Sequence, residues 1–283
     1  MKKIKIPDEL LQSNEPMPEI QLMNYRNERT IVRYRVNFSQ HVFSFLKAGA
    51  KEIFYDQDPI FLTNRGFALI TTPNCLMTET IPEASLYKSI LLFFSHKMLE
   101  AFKIKYRDLI AAQIHEKPKA VLAFEYDDYC FHFRSSLELL MAQPGPLPTA
   151  ILNAKFEEIM LYLLRTQAEK INRLLSTKQT DFEMTFKSVV ESNIHSHLNL
   201  EELAFLCNMS LSTFKRHFAQ FYQMSPQKWI IAERMKTAAF LIKNGERPVD
   251  IFRKLGYKTL SNFVRAYKSH FQVAPKQQQK MDV

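Results

Sequence analysis

The sequence predicts an α+β protein of two domains: an antiparallel β-barrel with a helical hairpin, then an all-helical domain. Three observations lead there. The 283 residues suit about two domains at roughly 100–200 residues each. Short runs rich in Val, Ile, Phe and Tyr, interrupted by turn residues, fill the chain as far as Phe94. From His96 the apolar residues instead recur at three and four. A composition of 46% hydrophobic and 24% charged residues is that of a chain that builds cores.

The strand-like runs are Thr30–Phe38, His41–Leu46, Lys51–Tyr55, Ile60–Thr72 and Leu86–Phe94, with turns at Asp56–Pro59 and Asn64–Gly66. Many short strands without helices between them predict an antiparallel barrel or sandwich. Phe38, Phe43, Phe45, Phe54, Phe61, Phe67, Phe93 and Phe94 form an aromatic set that fills the barrel as core or lines an effector pocket, the filled core being the better reading. Met98, Leu99, Phe102 and Tyr106 mark the first helix. Two more follow, over about Tyr129–Met141 and Thr149–Ser176, turned back on each other by Pro144–Pro148. Leu152, Phe156, Ile159 and Leu163 form a stripe on the last of these. The stripe packs on the barrel or on a second subunit, and its spacing leads us to expect self-association as a homodimer. Ser176–Asp181 is polar and reads as a linker.

The net charge of +9 is unevenly spread: residues 183–283 hold 15 Lys and Arg against 8 Asp and Glu, residues 1–182 hold 23 against 21. A basic C-terminal domain on a nearly neutral body calls for a polyanionic partner. Its helices are well punctuated. Asn199 with Glu202 makes a capping box and Leu198 with Leu203 a hydrophobic staple around it. A helix over Leu200–Cys207, a turn at Asn208–Ser210 and a helix over Leu211–Phe221 follow. Phe214, Phe218 and Phe221 lie on the buried face of the second, with Ser212, Lys215, Arg216 and Ala219 opposite. Ser225-Pro226 starts a helix of about 27 Å, ended by Asn244-Gly245. The pattern then repeats: Ile251, Phe252 and Leu255, a Gly256-Tyr257-Lys258 turn, and a helix from Leu260 with Phe263 and Tyr267 inward. Ser261, Val264, Arg265 and Lys268 share its outer face. Two helix-turn-helix units on one strut can enter successive major grooves about 34 Å apart, so double-stranded DNA is the expected partner.

Residues 184–278 resemble the C-terminal domain of the AraC/XylS family of bacterial transcription regulators. The resemblance rests on Leu200–Ala204, Met209–Arg216, Ser225-Pro226, Arg234 with Ala238, Gly256-Tyr257, Phe263 with Arg265, and Ala274-Pro275. It implies that Ser212, Lys215 and Arg216 face bases from the first unit, and Leu260, Ser261, Val264 and Arg265 from the second. Pro248 and Phe252 depart from the family's Ile and small Ala, which puts the greater share of base contact on the first unit. The N-terminal half is similar to the family's cupin-type sensor half, most of all in the subgroup that activates type III secretion genes. It shares Gly145-Pro146-Leu147-Pro148 before a long helix, and Trp229-Ile230 in the Ser-Pro helix. In that subgroup the sensor half answers to a protein antagonist, where other members bind a small molecule.

The resemblance therefore implies a cupin-like sensor and dimerisation domain over 1–176, a linker over 177–182 and a DNA-binding domain over 183–283. It implies an activator that meets RNA polymerase and is controlled by a small molecule or a protein. No cofactor or metal is expected: His41, His96, His115 and His132 stand apart, and His195 and His197 face about 200° apart on a helix. There is no phosphate-binding glycine loop or nucleophile elbow, so an enzyme is not expected. The one alternative of another class is a metal-free cupin-type enzyme fused to a nucleic-acid tether. Cys75, Cys130 and Cys207 are odd in number and far apart, and suit a reducing compartment. Lys2, Lys3 and Lys5 lead into Pro7, Asp8 and Glu9 instead of an apolar segment. The longest clear apolar run, Ile90–Phe94, is far short of the ~18 residues of a membrane span. A cytoplasmic protein without membrane contact is expected.

Overall fold

A computed structural model describes residues 3–8, 17–56, 58–81, 86–110, 119–175 and 182–277. The chain divides into two compact units, Met1–Phe54 with Pro59–Thr180, and Tyr55–Asp58 with Asp181–Val283. The expected linker lies outside the described residues except for Phe182, which opens a helix.

Among the described residues of the first unit, ten strands form two five-stranded sheets. One runs in the order β1 (Lys3–Ile6), β3 (Ile31–Phe38), β8 (Asn74–Thr80), β5 (Ala50–Phe54), β6 (Ile60–Thr63). The other runs β10 (Val121–Glu125), β7 (Gly66–Ile70), β4 (His41–Ala48), β9 (Tyr87–Phe94), β2 (Ile20–Asn27). All pairings are antiparallel except β1 with β3.

The expected cupin-like closed barrel is not formed. Each sheet is open, and among the described residues no ladder joins an edge strand of one to the other. The reason lies in the second sheet, which is buried on both faces. Phe43, Phe45, Phe67 and Phe94, expected inside a barrel, cluster with residues of four helices. These are α1 (His96–Lys105), α2 (Asp128–Met141), α3 (Thr149–Thr166) and α4 (Ala168–Leu175). The alternate residues Val42 and Ser44 face the first sheet instead, across a cavity lined by both sheets. The result is three layers, sheet on sheet on helices. A strand covered on both sides is apolar nearly throughout, as β9 is from Ser89 to Phe94. Phe61, assigned to the same aromatic set, is 66% exposed.

The helical stripe is also resolved. Leu152, Phe156, Ile159 and Leu163 are buried in the core of their own unit, so they cannot form the seam of a dimer. The single helix expected over 149–176 breaks at Gln167, whose backbone leaves the helical region at φ −129, ψ 40. The Thr166 hydroxyl donates to the Tyr162 carbonyl at 2.9 Å, a back-bond that bends helices. After the break, Ile171, Leu174 and Leu175 return to the same core. Asp127 caps α2 by accepting from the Cys130 N–H at 2.7 Å. No described helix is long and apolar enough to cross a membrane.

His41 and His96, distant in sequence, meet with Nε2 and Nδ1 3.3 Å apart. Burial, with a smaller push from His96, lowers the pKa of His41 to about 4. In an unfolded chain it titrates near 6.5. Between these values the unfolded state binds a proton that the folded state does not, so stability falls as pH drops from about 6.5 to about 4. The melting temperature of the full chain is expected to decline between pH 7 and pH 5, and less steeply in His41→Gln.

Candidate nucleic-acid interface

The second unit holds α5 (Phe182–Ser192), α6 (Leu200–Leu206), α7 (Leu211–Tyr222), α8 (Pro226–Lys243), α9 (Pro248–Ile251) and α10 (Leu260–Phe271). Asn199 and Glu202 form the reciprocal capping box at the start of α6, each bond 2.9 Å. That satisfies two donors that a helix start otherwise leaves without partners. Ser225 occupies the N-cap position of α8 without a side-chain bond, and Pro226 presets the first turn. Pro248 likewise starts α9, a position where its missing N–H costs nothing.

The two helix-turn-helix units repeat in detail. Asn208 (φ 58) and Gly256 (φ 79) take the left-handed conformation at the turn of each, Asn208 just past α6 and Gly256 after the turns that follow α9. Asn208 N–H donates to Phe205 O and Met209 N–H to Ala204 O. Gly256 N–H to Arg253 O and Tyr257 N–H to Phe252 O repeat that Schellman pattern 48 residues on. Ser210 and Thr259 then cap α7 and α10, each accepting from a backbone N–H at 3.2 Å. The caps are 49 residues apart, so the second turn is longer by one residue, Lys258. Both α7 and α10 end on a left-handed glutamine, Gln223 and Gln272, again 49 apart. No turn dipeptide marks these two glutamines in the sequence.

Each of α7 and α10 rests on its own core. Phe214 and Phe218 of α7 pack with Phe186, Val190, Leu203 and Ala204, against which Trp229 and Ile230 of α8 also lie. Phe263 and Tyr267 of α10 pack with Met235, Ala238 and Ile242 from the far half of α8. Each half of α8 thus seats one of these two helices. Ser212, Lys215 and Arg216 are exposed on α7, and the Ser212 and Ser210 hydroxyls share a hydrogen bond of 2.9 Å. On α10 Ser261 and Arg265 are exposed, while Leu260 and Val264 are half-buried against the second core. Phe252, the bulky departure, is half-buried against that core too.

Among the described residues four basic side chains of this unit, Lys187, Lys236, Arg247 and Lys254, are ion-paired, and the rest, Lys228, Lys243 and Lys258 among them, are not. Neither α7 nor α10 contains an acidic residue. Among the described residues no carboxylate pairs with Lys215, Arg216, Arg265 or Lys268. Cations left without partners on two repeated helices suit phosphates and base edges.

One residue of structural weight was marked in the sequence by resemblance alone, without its mechanism. Arg234, half-buried in α8, donates to the carbonyls of Ile194 (2.6 Å), Ser196 (2.7 Å) and Gly256 (3.2 Å). It ties the segment before α6 to the turn of the second unit. A Cβ at Gly256 would lie 2.7 Å from its Cζ. The available signal is that Arg234 precedes the buried Ala238 by four residues, on the inward stripe of its helix. Among the described residues no group of three or more His, Cys, Asp or Glu gathers as a metal site.

Fold and site define a tandem helix-turn-helix protein with a separate regulatory-type domain. The family model described as the ExsA N-terminal regulatory domain matches residues 41–176, and that of a helix-turn-helix domain matches residues 203–281. The chain belongs to the AraC/XylS family, with an ExsA-type N-terminal domain. It is 35% identical over 83 residues to an uncharacterized HTH-type transcriptional regulator of Haemophilus influenzae, covering 29% of this chain and 28% of that protein. It is 26% identical over 162 residues to the virulence regulon transcriptional activator VirF of Yersinia enterocolitica, covering 56% of this chain and 59% of VirF. These two matches therefore span less than two thirds of either relative. The match to the HTH-type transcriptional regulator ExsA of Pseudomonas aeruginosa is 24% identical over 246 residues and covers 86% of each chain.

Proposed function

We propose that this chain is a sequence-specific double-stranded-DNA-binding transcription regulator, and that it acts as an activator. The observation that carries the reading is the repeated pair of acid-free helices, α7 and α10, with unpaired Lys215, Arg216, Arg265 and Lys268. Each is held by a buried aromatic face on its own half of one strut. Ser212, Lys215 and Arg216 read base edges from the first unit, and Ser261 and Arg265 from the second. Leu260 and Val264 offer thymine methyl groups apolar contact. The sensing domain spans 1–176, the linker 177–182 and the DNA-binding domain 183–283. The sensing domain takes its signal from a small molecule or a protein, the protein works in the cytoplasm as a homodimer, and it contacts RNA polymerase. Its self-association uses a surface other than the α3 stripe. Activation is supported by the description of VirF as a transcriptional activator.

The test is Arg216→Ala on a fragment recovered by genome-wide mapping of bound DNA. Arg216 is exposed, so melting should not change, while a lost bidentate base contact should weaken binding by about 1–3 kcal/mol. Arg265→Ala should cost less. Binding by the unaltered chain should fall steeply with salt, because phosphate contacts release counterions. Equal affinity of Arg216→Ala and the unaltered chain at equal salt would overturn the assignment.

A further inference from the structure

Between the two sheets of the first unit lies a cavity of about 260 Å³. An apolar cavity of about 150 Å³ holds benzene, so this one has room for roughly ten non-hydrogen atoms. Val42, Ile70, Met77 and Leu91 give it apolar walls. Its other side carries two opposite charges, both almost wholly buried: Lys51, 4% exposed, and Glu79, 2% exposed. They face each other in register on β5 and β8.

The two charges nevertheless do not bond to each other among the described residues. The Lys51 ammonium donates to Ser44 Oγ at 2.9 Å. Glu79 Oε2 accepts from Tyr25 OH at 3.0 Å and from Asn27 Nδ2 at 3.3 Å. An ammonium has three donors and a carboxylate about four acceptor sites, so both retain capacity toward the cavity. Burial depresses the Lys51 pKa, and the Glu79 charge works against that. Buried charges are costly unless their hydrogen bonds are completed. Water can bridge the two charges at this polar end, but the apolar walls give it no partners over the rest of the cavity.

We propose that this cavity binds a small uncharged amphiphile whose head both accepts and donates hydrogen bonds, a primary carboxamide being the simplest. Its carbonyl accepts from Lys51, its N–H donates to Glu79, and its apolar body lies against Val42, Ile70, Met77 and Leu91. A carboxylate head satisfies Lys51 but is repelled by Glu79, and an ammonium head does the reverse. The inference deepens the sensing role proposed above and rests on that role for the site's use, not for its existence.

Octanamide titrated calorimetrically into the full chain, without DNA, tests it. Saturable one-site binding is expected, with octanoate and octylamine weaker by about tenfold or more, since each leaves one buried charge uncompensated. Lys51→Met should weaken octanamide by a similar factor. Should that variant not fold, Ile31→Phe narrows the cavity from a half-buried lining position with both charges kept, and should abolish binding. Three results would each overturn the proposal: no saturable binding of octanamide, octanoate binding as tightly as octanamide, or a folded Ile31→Phe binding like the unaltered chain. None of them bears on DNA binding, and failure to bind DNA leaves the titration unaffected.

Discussion

Phe156→Asp is expected to unfold the first unit. Phe156 is 2% exposed and packs on Phe94 at 4.6 Å and Phe102 at 5.9 Å between ring centroids. Removing such a ring from a core costs about 3–5 kcal/mol, and an unpaired carboxylate in its place adds more. The sum is comparable with the whole stability of a domain, about 5–15 kcal/mol. Circular dichroism of the full chain should show loss of the strand signal with the helices of the second unit retained. If α3 formed a subunit seam instead, the same variant would stay folded and sediment as a monomer. A folded monomer would therefore refute the layer arrangement described here.

Arg234→Ala should cost about 3 kcal/mol in the second unit, because three carbonyls lose a charge-assisted partner at once. Lysine is no substitute, since one ammonium does not reproduce the planar fork that reaches Ile194, Ser196 and Gly256. Gly256→Ala strikes the same clamp from the other side, through a left-handed φ of +79 and a Cβ crowding the guanidinium. The two substitutions share one contact, so their combined effect should be smaller than the sum of the single effects. The readout is the melting transition of the second unit, together with affinity for an operator carrying both half-sites. Additive losses would mean that the clamp does not couple the turn to the strut.

The second unit was largely legible in the sequence because its signals are local. A capping box, a serine followed by proline, a glycine after a helix and rings at three and four residues each act within a turn or two. The structure shows the corresponding features at Asn199, Pro226, Gly245 and Phe214. Locally coded, too, are the acid-free faces of α7 and α10, since helical period alone sets Lys215 and Arg216 opposite Phe214 and Phe218. The left-handed Gln223 and Gln272 were not legible, because glutamine carries no preference for that conformation and adopts it here to close the helix.

For the first unit, the runs that form β3 to β7 and β9 and the proline-bounded hairpin could be read from sequence; β1, β2, β8 and β10, and the assembly of the sheets, could not. An apolar run such as Ile90–Phe94 has the same pattern in a barrel wall under a helix and in a sheet covered on both faces. Which partner covers which face is settled by contacts between residues far apart in the chain, such as Phe94 with Phe156. Those same long-range contacts bury the α3 stripe, bring His41 to His96 and set Lys51 opposite Glu79. Local sequence codes for conformation within a turn or a strand. Layer order, and the pairing of charges across it, follow only when the whole chain chooses how to hide its apolar surface.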